Sequence, residues 1–304
     1  MRWFSWLLKV AIVSAAVWYL WLYMRSNHVA QHFTQLAGAP FKLWLAVWLL
    51  WPINWCLEAL KWKQLVQHLQ PVSFSQSLRA VLAGVTVGTA TPNRIGESVA
   101  RVCILDPENR VPALGLAAAG SAAQLLVTSL AAAAGVLYAR NLLQLPSFSI
   151  LSASLFALGM LVLLVLIYFF LRTHAQGKIV LQVLRGISRK KAAVVVCLSA
   201  LRYAVYLLQF VLLLRASGIT LPFGLLAAAV AVTYGIVTLI PTFAFTEIVV
   251  RGSAAAAVIG GLCGNAEAAL SAAVVLWAIN VGLPALAGIV PVLTFRVYKT
   301  DADE

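Results

Sequence analysis

The stretch VGTATPNRIGESVARV, Val87–Val102, interrupts an otherwise oily sequence with Arg94, Glu97 and Arg101, and sets Pro92 and Gly96 among them. Proline removes a backbone donor and drives the residue before it out of the helical region. An apolar helix over Phe74–Ala90 therefore stops at Thr91-Pro92, and a short charged helix, Ile95–Leu105, follows. The surroundings say what solvent this break sits in. Of 304 residues, 62% are hydrophobic and only 10% are charged, where a soluble domain carries roughly a quarter. Apolar runs of about 20 residues recur, the length that crosses a bilayer as a helix. The alternation over ~10 residues that marks a membrane β-barrel is absent.

Working outward, the hydrophobic elements are Trp3–Tyr23, Phe41–Leu60, the broken element 74–105, Pro112–Tyr138, Ile150–Leu171, Ala192–Leu214, a second broken element 221–262, and Ala266–Leu293. The expected fold is all-α: a polytopic helix bundle of about six full spans plus two Pro-broken, re-entrant hairpins, in a single membrane domain over 1–304. The stretch KWKQLVQHLQ reads as a separate amphipathic segment ended by Pro71. Residues 172–191 read as a basic interfacial linker on the cytoplasmic side. Trp3, Trp6, Trp18 and Trp21 read as interface anchors of a retained first span, with no cleavage pattern after it.

The net charge of +13 fits this picture without nucleic acid, because basic residues collect in cytoplasmic loops. With the N- and C-termini cytoplasmic, the inner segments hold most of the lysine and arginine, Lys61, Arg94 and Arg101 included. The outer loops keep Arg25, Lys42, Arg140 and Arg215. The expected location is the bacterial inner membrane. Cys56, Cys103, Cys197 and Cys263 have no paired spacing and read as small buried hydrophobes. His28 and His32 are four apart but read as solvated in a polar loop, so no metal is expected.

The second break, IPTFAFTEIVVR, repeats the first. Pro241 ends an apolar run, and the helix resumes with Glu247 and Arg251, as the first resumes with Glu97 and Arg101. Both pairs are four residues apart and so share a helix face. Three full spans separate the breaks, which is the arithmetic of an inverted repeat, and paired discontinuous segments point to a transport site near the midplane. A break in lipid is tolerated only inside protein or beside a watery cavity. Each resumed helix presents an N-terminus with free amides and partial positive charge. Arg94 stands at one such end, Asn93 and Thr246 flank the breaks, and Gly96 leaves room for a close approach. These features suit an anion, phosphate above all. The alternative is that the Glu/Arg pairs only neutralise each other and hold the bundle together. Arg202 with Tyr203 and Gln209, Gln124 on the uncharged span, and Asn54 and Glu58, on one face with Lys61, either line a polar cavity or act as glue between helices.

The segments TPNRIGESVAR, IPTFAFTEIVVRGS and NWCLEALKWKQL resemble the hallmark segments of the lysylphosphatidylglycerol synthase transmembrane, or flippase-like, family. The likeness runs from about Asn54 to the last span. It implies lipid translocation across the inner membrane, with Arg94, Glu97, Arg101, Glu247 and Arg251 along the lipid route. The best-known members add a soluble aminoacyl-transferase domain. Here FRVYKTDADE leaves no room for one, so synthase activity is not expected, and no nucleotide-binding loop is present. The expected partners are an anionic phospholipid or a polyprenyl-phosphate-linked lipid, and beyond these a second copy of the chain or a lipid- or glycan-modifying enzyme. No cofactor is expected. A proton-coupled solute transporter and a non-catalytic scaffold for an envelope enzyme stand as the alternatives. An enzyme is the weaker reading, since no nucleophile has a base at helical spacing.

Overall fold

A computed structural model describes residues 27–91, 94–139, 175–240 and 244–294. The readings made on Trp3–Tyr23, Ile150–Leu171, Pro92, Asn93, Pro241 and the tail lie outside these residues. The described chain is helical throughout. In order come α1 (Asn27–Ala37), α2 (Phe41–Val66), α3 (Phe74–Thr89), α4 (Ile95–Val102), α5 (Pro107–Ala139), α6 (Ala175–Arg185), α7 (Arg189–Ala216), α8 (Phe223–Leu239), α9 (Ala244–Ala255) and α10 (Ala266–Trp277). Helix α9 continues through a π-helical turn, Ala256–Gly260, to Cys263. Helix α10 continues through a second π-helical turn, Ala278–Gly282, into α11 (Leu283–Ala287) and α12 (Ile289–Thr294). Five stretches are long and apolar enough to cross a bilayer: Phe41–Val66, Pro107–Ala139, Arg189–Ala216, Thr246–Cys263 and Ala266–Thr294. The chain is a multi-pass helical membrane protein.

Two apolar cores hold the bundle. One is built from α7, α8, α9 and α10 around Phe210, Leu214, Leu226 and Ile259. The other is built from α2, α3 and α5 around Trp62, Val81, Val85 and Leu116. Trp51 of α2 packs against both. Helix α2 lies along α7, and α5 along α8, so these two pairs tie the cores together.

The start of α3 has a clear local cause. After Pro71, the Ser73 hydroxyl accepts from the Gln76 amide at 3.2 Å, and Gln76 Oε1 accepts from the Ser73 amide at 2.8 Å. This reciprocal cap satisfies two donors that the helix would leave orphaned. At the far end of α3 the chain turns back, and α4 packs along α3. Glycine makes that approach feasible. A β-carbon at Gly84 would lie 2.9 Å from both Arg101 Cγ and the Glu97 carbonyl oxygen, and one at Gly88 would lie 3.0 Å from Glu97 Cβ. We expect Gly88→Val to push α4 off α3 and destabilise the protein by ~1–3 kcal/mol. A fall in the detergent melting temperature checks this, and an unchanged melting temperature would contradict it.

The structure departs from the sequence expectation at four places. The KWKQLVQHLQ segment is not separate, because α2 runs unbroken through Pro52 to Val66. Lys61 is consequently buried at 3% exposure and belongs to the bundle interior rather than to a cytoplasmic loop. His32 lies on helix α1 and not in a loop, 3.8 Å from Glu267. Of the cysteines, Cys197 is exposed and the other three are half-buried, Cys263 against the first core, so none is fully buried.

The two breaks are also built differently. Helices α3 and α4 form a tight pair. Helices α8 and α9 touch, but α8 packs chiefly on α5 and α9 chiefly on α10. A short apolar helix that relies on a neighbour for burial goes where the larger apolar face is.

Candidate functional site

The first break is closed by one side chain. The Thr91 hydroxyl accepts from the Gly96 amide at 2.9 Å, while it lies 3.1 Å from the Val87 carbonyl oxygen at the end of α3. It therefore serves a carbonyl near the end of one helix and a first-turn amide of the next, groups that helix ends leave without an intrahelical partner. The room expected at Gly96 is taken up by this arrangement. A β-carbon there would meet the Thr91 side chain and Val87 at 2.7–2.8 Å, so Gly96 serves the turn and leaves no space for a headgroup.

Arg94 follows in the left-handed region, φ 55°, the one non-glycine with positive φ among the described residues. For such a residue this conformation costs roughly 1–2 kcal/mol. What it gains is position. Arg94 Nε donates to Glu97 Oε2 at 2.9 Å, and Arg94 Nη1 lies 3.6 Å from Glu247 Oε2. The side chain thus spans from α4 to α9 and joins the two breaks.

The ionic residues extend on both sides of this link. On α9, Arg251 donates to Glu247 Oε1 through Nε at 2.9 Å and through Nη2 at 2.6 Å, and its Nη1 donates to the Tyr206 hydroxyl at 2.7 Å. On α4, Arg101 donates to Glu97 Oε1 through Nη2 and to Glu58 Oε1 through Nη1 at 2.6 Å. Glu58 of α2 is the hub of the network: Lys61 Nζ lies 2.7 Å away and Arg202 Nη1 of α7 lies 3.0 Å away. Burying so many charges is tolerable only when each is paired, and here each carboxylate touches at least two cations.

From Arg202 a ladder of amides runs into the core. Arg202 Nε donates to Asn54 Oδ1 at 3.0 Å, and Asn54 Nδ2 donates to Asn280 Oδ1 at 2.8 Å. Asn280 Nδ2 donates to Gln209 Oε1 at 2.8 Å, and Gln209 Nε2 donates to the Val47 carbonyl at 2.9 Å. Asn280 reaches its partners from the π-helical turn Ala278–Gly282, a widening that recurs at functional positions in helices.

These groups surround a cavity of about 250 Å³. Arg94, Glu97, Arg202 and Arg251 form its ionic wall. Asn54, Trp55, Gln124, Thr128, Tyr203 and Asn280 form much of the rest, and Val237 and Thr238 close the end nearest the second break. Arg202 stands over the Trp55 ring at 5.4 Å, a cation–π contact. Gln124 Oε1 and the Tyr203 hydroxyl are buried there without a hydrogen-bond partner among the described residues.

A family model described as the lysylphosphatidylglycerol synthase TM region matches residues 6–295. The chain belongs to that family. No curated protein matches it with significance.

Within this lysylphosphatidylglycerol synthase TM region, the residues singled out from sequence fall into two groups. Asn54, Arg94, Glu97, Gln124, Arg202, Tyr203 and Arg251 line the cavity. Glu58, Arg101 and Glu247 are buried behind that wall and hold its arginines and Glu97 in place. Gln209 lies deeper and acts through Asn280, and Thr246 is buried next to Glu247. Lys61 and Tyr206, read from sequence as neighbours of Glu58 and Arg202, join the network directly, while Thr91 and Asn280 were not among the candidates. Asn280 had a signal: it is the single amide of the apolar run from Ala268 to Thr294. Within the described residues no cluster of three or more His, Cys, Asp or Glu side chains could hold a metal.

Proposed function

We propose that the protein moves a phosphate-bearing lipid across the bacterial inner membrane, with both chain termini in the cytoplasm. The observation that carries this reading is the cavity whose wall is made by arginines from α4, α7 and α9, two of them next to interrupted segments. Arginine forks match phosphate oxygens in two-point contacts. The apolar side chains flanking the cavity support a lipid rather than a free solute. Ile95, next to Arg94, is 65% exposed, and Leu239 and Ile240, next to Thr238, are 47% and 43% exposed. A headgroup can occupy the cavity while its acyl chains stay against such side chains in the bilayer.

In this mechanism the headgroup phosphate displaces glutamates from arginines. Glu97 and Glu247 hold Arg94 and Arg251 while the cavity is empty and take them back on release. The reading assigns the chain transport and no bond-breaking step. An enzyme that makes or modifies the lipid is the natural partner. The experiment is lipid movement between leaflets in vesicles carrying the purified protein. Wild type should accelerate it, and Arg94→Ala should lower the rate by about 10- to 100-fold, the size of losing a charge-assisted contact or two. Equal rates in the two proteins would overturn the proposal.

A further inference from the structure

We infer that the cavity takes a headgroup carrying two negative charges, a terminal phosphomonoester or a diphosphate, in preference to a singly charged phosphodiester, a zwitterion or an aminoacylated lipid. The inference rests on the transport reading and narrows its substrate class. It comes from the charge balance of the network. Five cations, Lys61, Arg94, Arg101, Arg202 and Arg251, face three carboxylates, Glu58, Glu97 and Glu247. Arginine stays protonated in proteins. With Lys61 and Glu58 taken as one neutral pair, four arginines remain against two glutamates.

The protein has few ways to make up the difference. The sequence has nine acidic residues in all. Asp106 and Glu108 are exposed at the start of α5, and Glu267 lies by His32. The other three are within the last four positions of the sequence. The excess also faces the right way. Arg94, Arg202 and Arg251 line the cavity and are each 20–25% exposed, while Arg101, held between Glu58 and Glu97, is only 10% exposed. Each of the five cations has a carboxylate partner, but the group as a whole keeps two positive charges in excess. Such an excess inside a bilayer protein is costly, so the balancing anions come from the occupant. A phosphomonoester carries about −1.5 to −2 near pH 7, with three acceptor oxygens, and a diphosphate diester carries one charge on each phosphate. A phosphodiester brings one, a zwitterion none, and an aminoacylated headgroup adds cations to a wall already rich in them. Gln124 Oε1, lacking a partner in that wall, offers a further contact for a hydroxyl or protonated oxygen of the headgroup.

The test is binding of purified full-length protein to detergent micelles doped with one lipid at a time: phosphatidic acid, phosphatidylglycerol, phosphatidylethanolamine or lysyl-phosphatidylglycerol. Phosphatidic acid should bind at least about tenfold more tightly than phosphatidylglycerol, the worth of one more charge-assisted contact. Two variants should each erase that margin, Arg251→Gln by removing a cation and Gln124→Glu by adding a carboxylate to the wall. The second removes none of the native ion pairs, so it answers the question even if the first folds poorly. Glycerol phosphate as competitor separates the sources of the phosphate: weak competition assigns a lipid, and competition equal to phosphatidic acid assigns a soluble phosphate ester. Equal binding of phosphatidic acid and phosphatidylglycerol, or a margin that survives both variants, would overturn the inference. Movement of phosphatidylglycerol in the vesicle assay without any binding preference would sink the inference and leave the transport reading standing. A preference without movement of any lipid would do the reverse.

Discussion

Glu58→Leu is expected to remove most of the folded protein. Glu58 is 3% exposed and sits against Lys61, Arg101 and Arg202. Deleting one member of a buried ionic group leaves its partners charged and unsolvated, a loss of ~3–5 kcal/mol. Total stabilities run about 5–15 kcal/mol, so this loss takes a large share. Arg101 would keep Glu97, and Arg202 would keep Asn54, but Lys61 would keep no carboxylate. The double variant Glu58→Leu/Lys61→Met should therefore recover part of the stability, since it removes the stranded ammonium as well. Chemical denaturation in detergent, with yield of monodisperse protein as a second reading, checks both. If the single variant matched wild type, or the double variant were no better than the single, Glu58 would not be the hub the geometry makes it.

The second large effect is expected at Glu247, and it has the opposite sign for binding and for turnover. Glu247 holds Arg251 and lies near Arg94, so it restrains two arginines of the cavity wall. Glu247→Gln keeps the shape and removes the charge. A phosphate lipid should then bind about tenfold more tightly, because nothing competes for the guanidinium groups. Its release should slow in proportion, so leaflet-to-leaflet movement at saturating lipid should fall by a similar factor. An interaction that stabilises the bound ground state lowers the apparent KM and the maximal rate together. Weaker binding together with slower movement would mean that Glu247 contacts the substrate or holds the site's shape, and the competitive mechanism would fall.

How much of this was legible beforehand depended on how rare charge is in the sequence. Glu97, Arg101, Glu247 and Arg251 stood out because an ionic pair in an apolar run has few bland explanations, and their four-residue spacing gave the shared faces seen in the structure. The same logic put Lys61 on one face with Asn54 and Glu58, but also counted it among the cytoplasmic-side charges. Its neighbours Lys63, Gln64 and Gln67 made the segment look like a surface helix, and the continuation of α2 past Leu60 to Val66 turns Lys61 inward beside Glu58. Thr91 was hidden for another reason. Its hydroxyl matters through backbone groups on either side of a turn, and no side-chain pattern records that. The link from Arg94 to Glu247 joins residues 153 positions apart, which spacing alone cannot predict.

The glycine contacts between α3 and α4 carry a dynamic consequence. With Gly84 and Gly88 pressed against Glu97 and Arg101, the two helices have no slack to slide past each other, and Thr91 pins their tips. They form a stiff paddle. Arg94 sits at its end, so the guanidinium cannot travel far without a stroke of the whole paddle, including the Thr86 hydroxyl bonded at 2.6 Å to the Ala285 carbonyl. Such strokes belong to the microsecond-to-millisecond regime of collective helix motion and not to the nanosecond regime of side-chain rotation. A transport cycle of the proposed kind would then keep the pace at which α3 parts from its seam with α11 and α12.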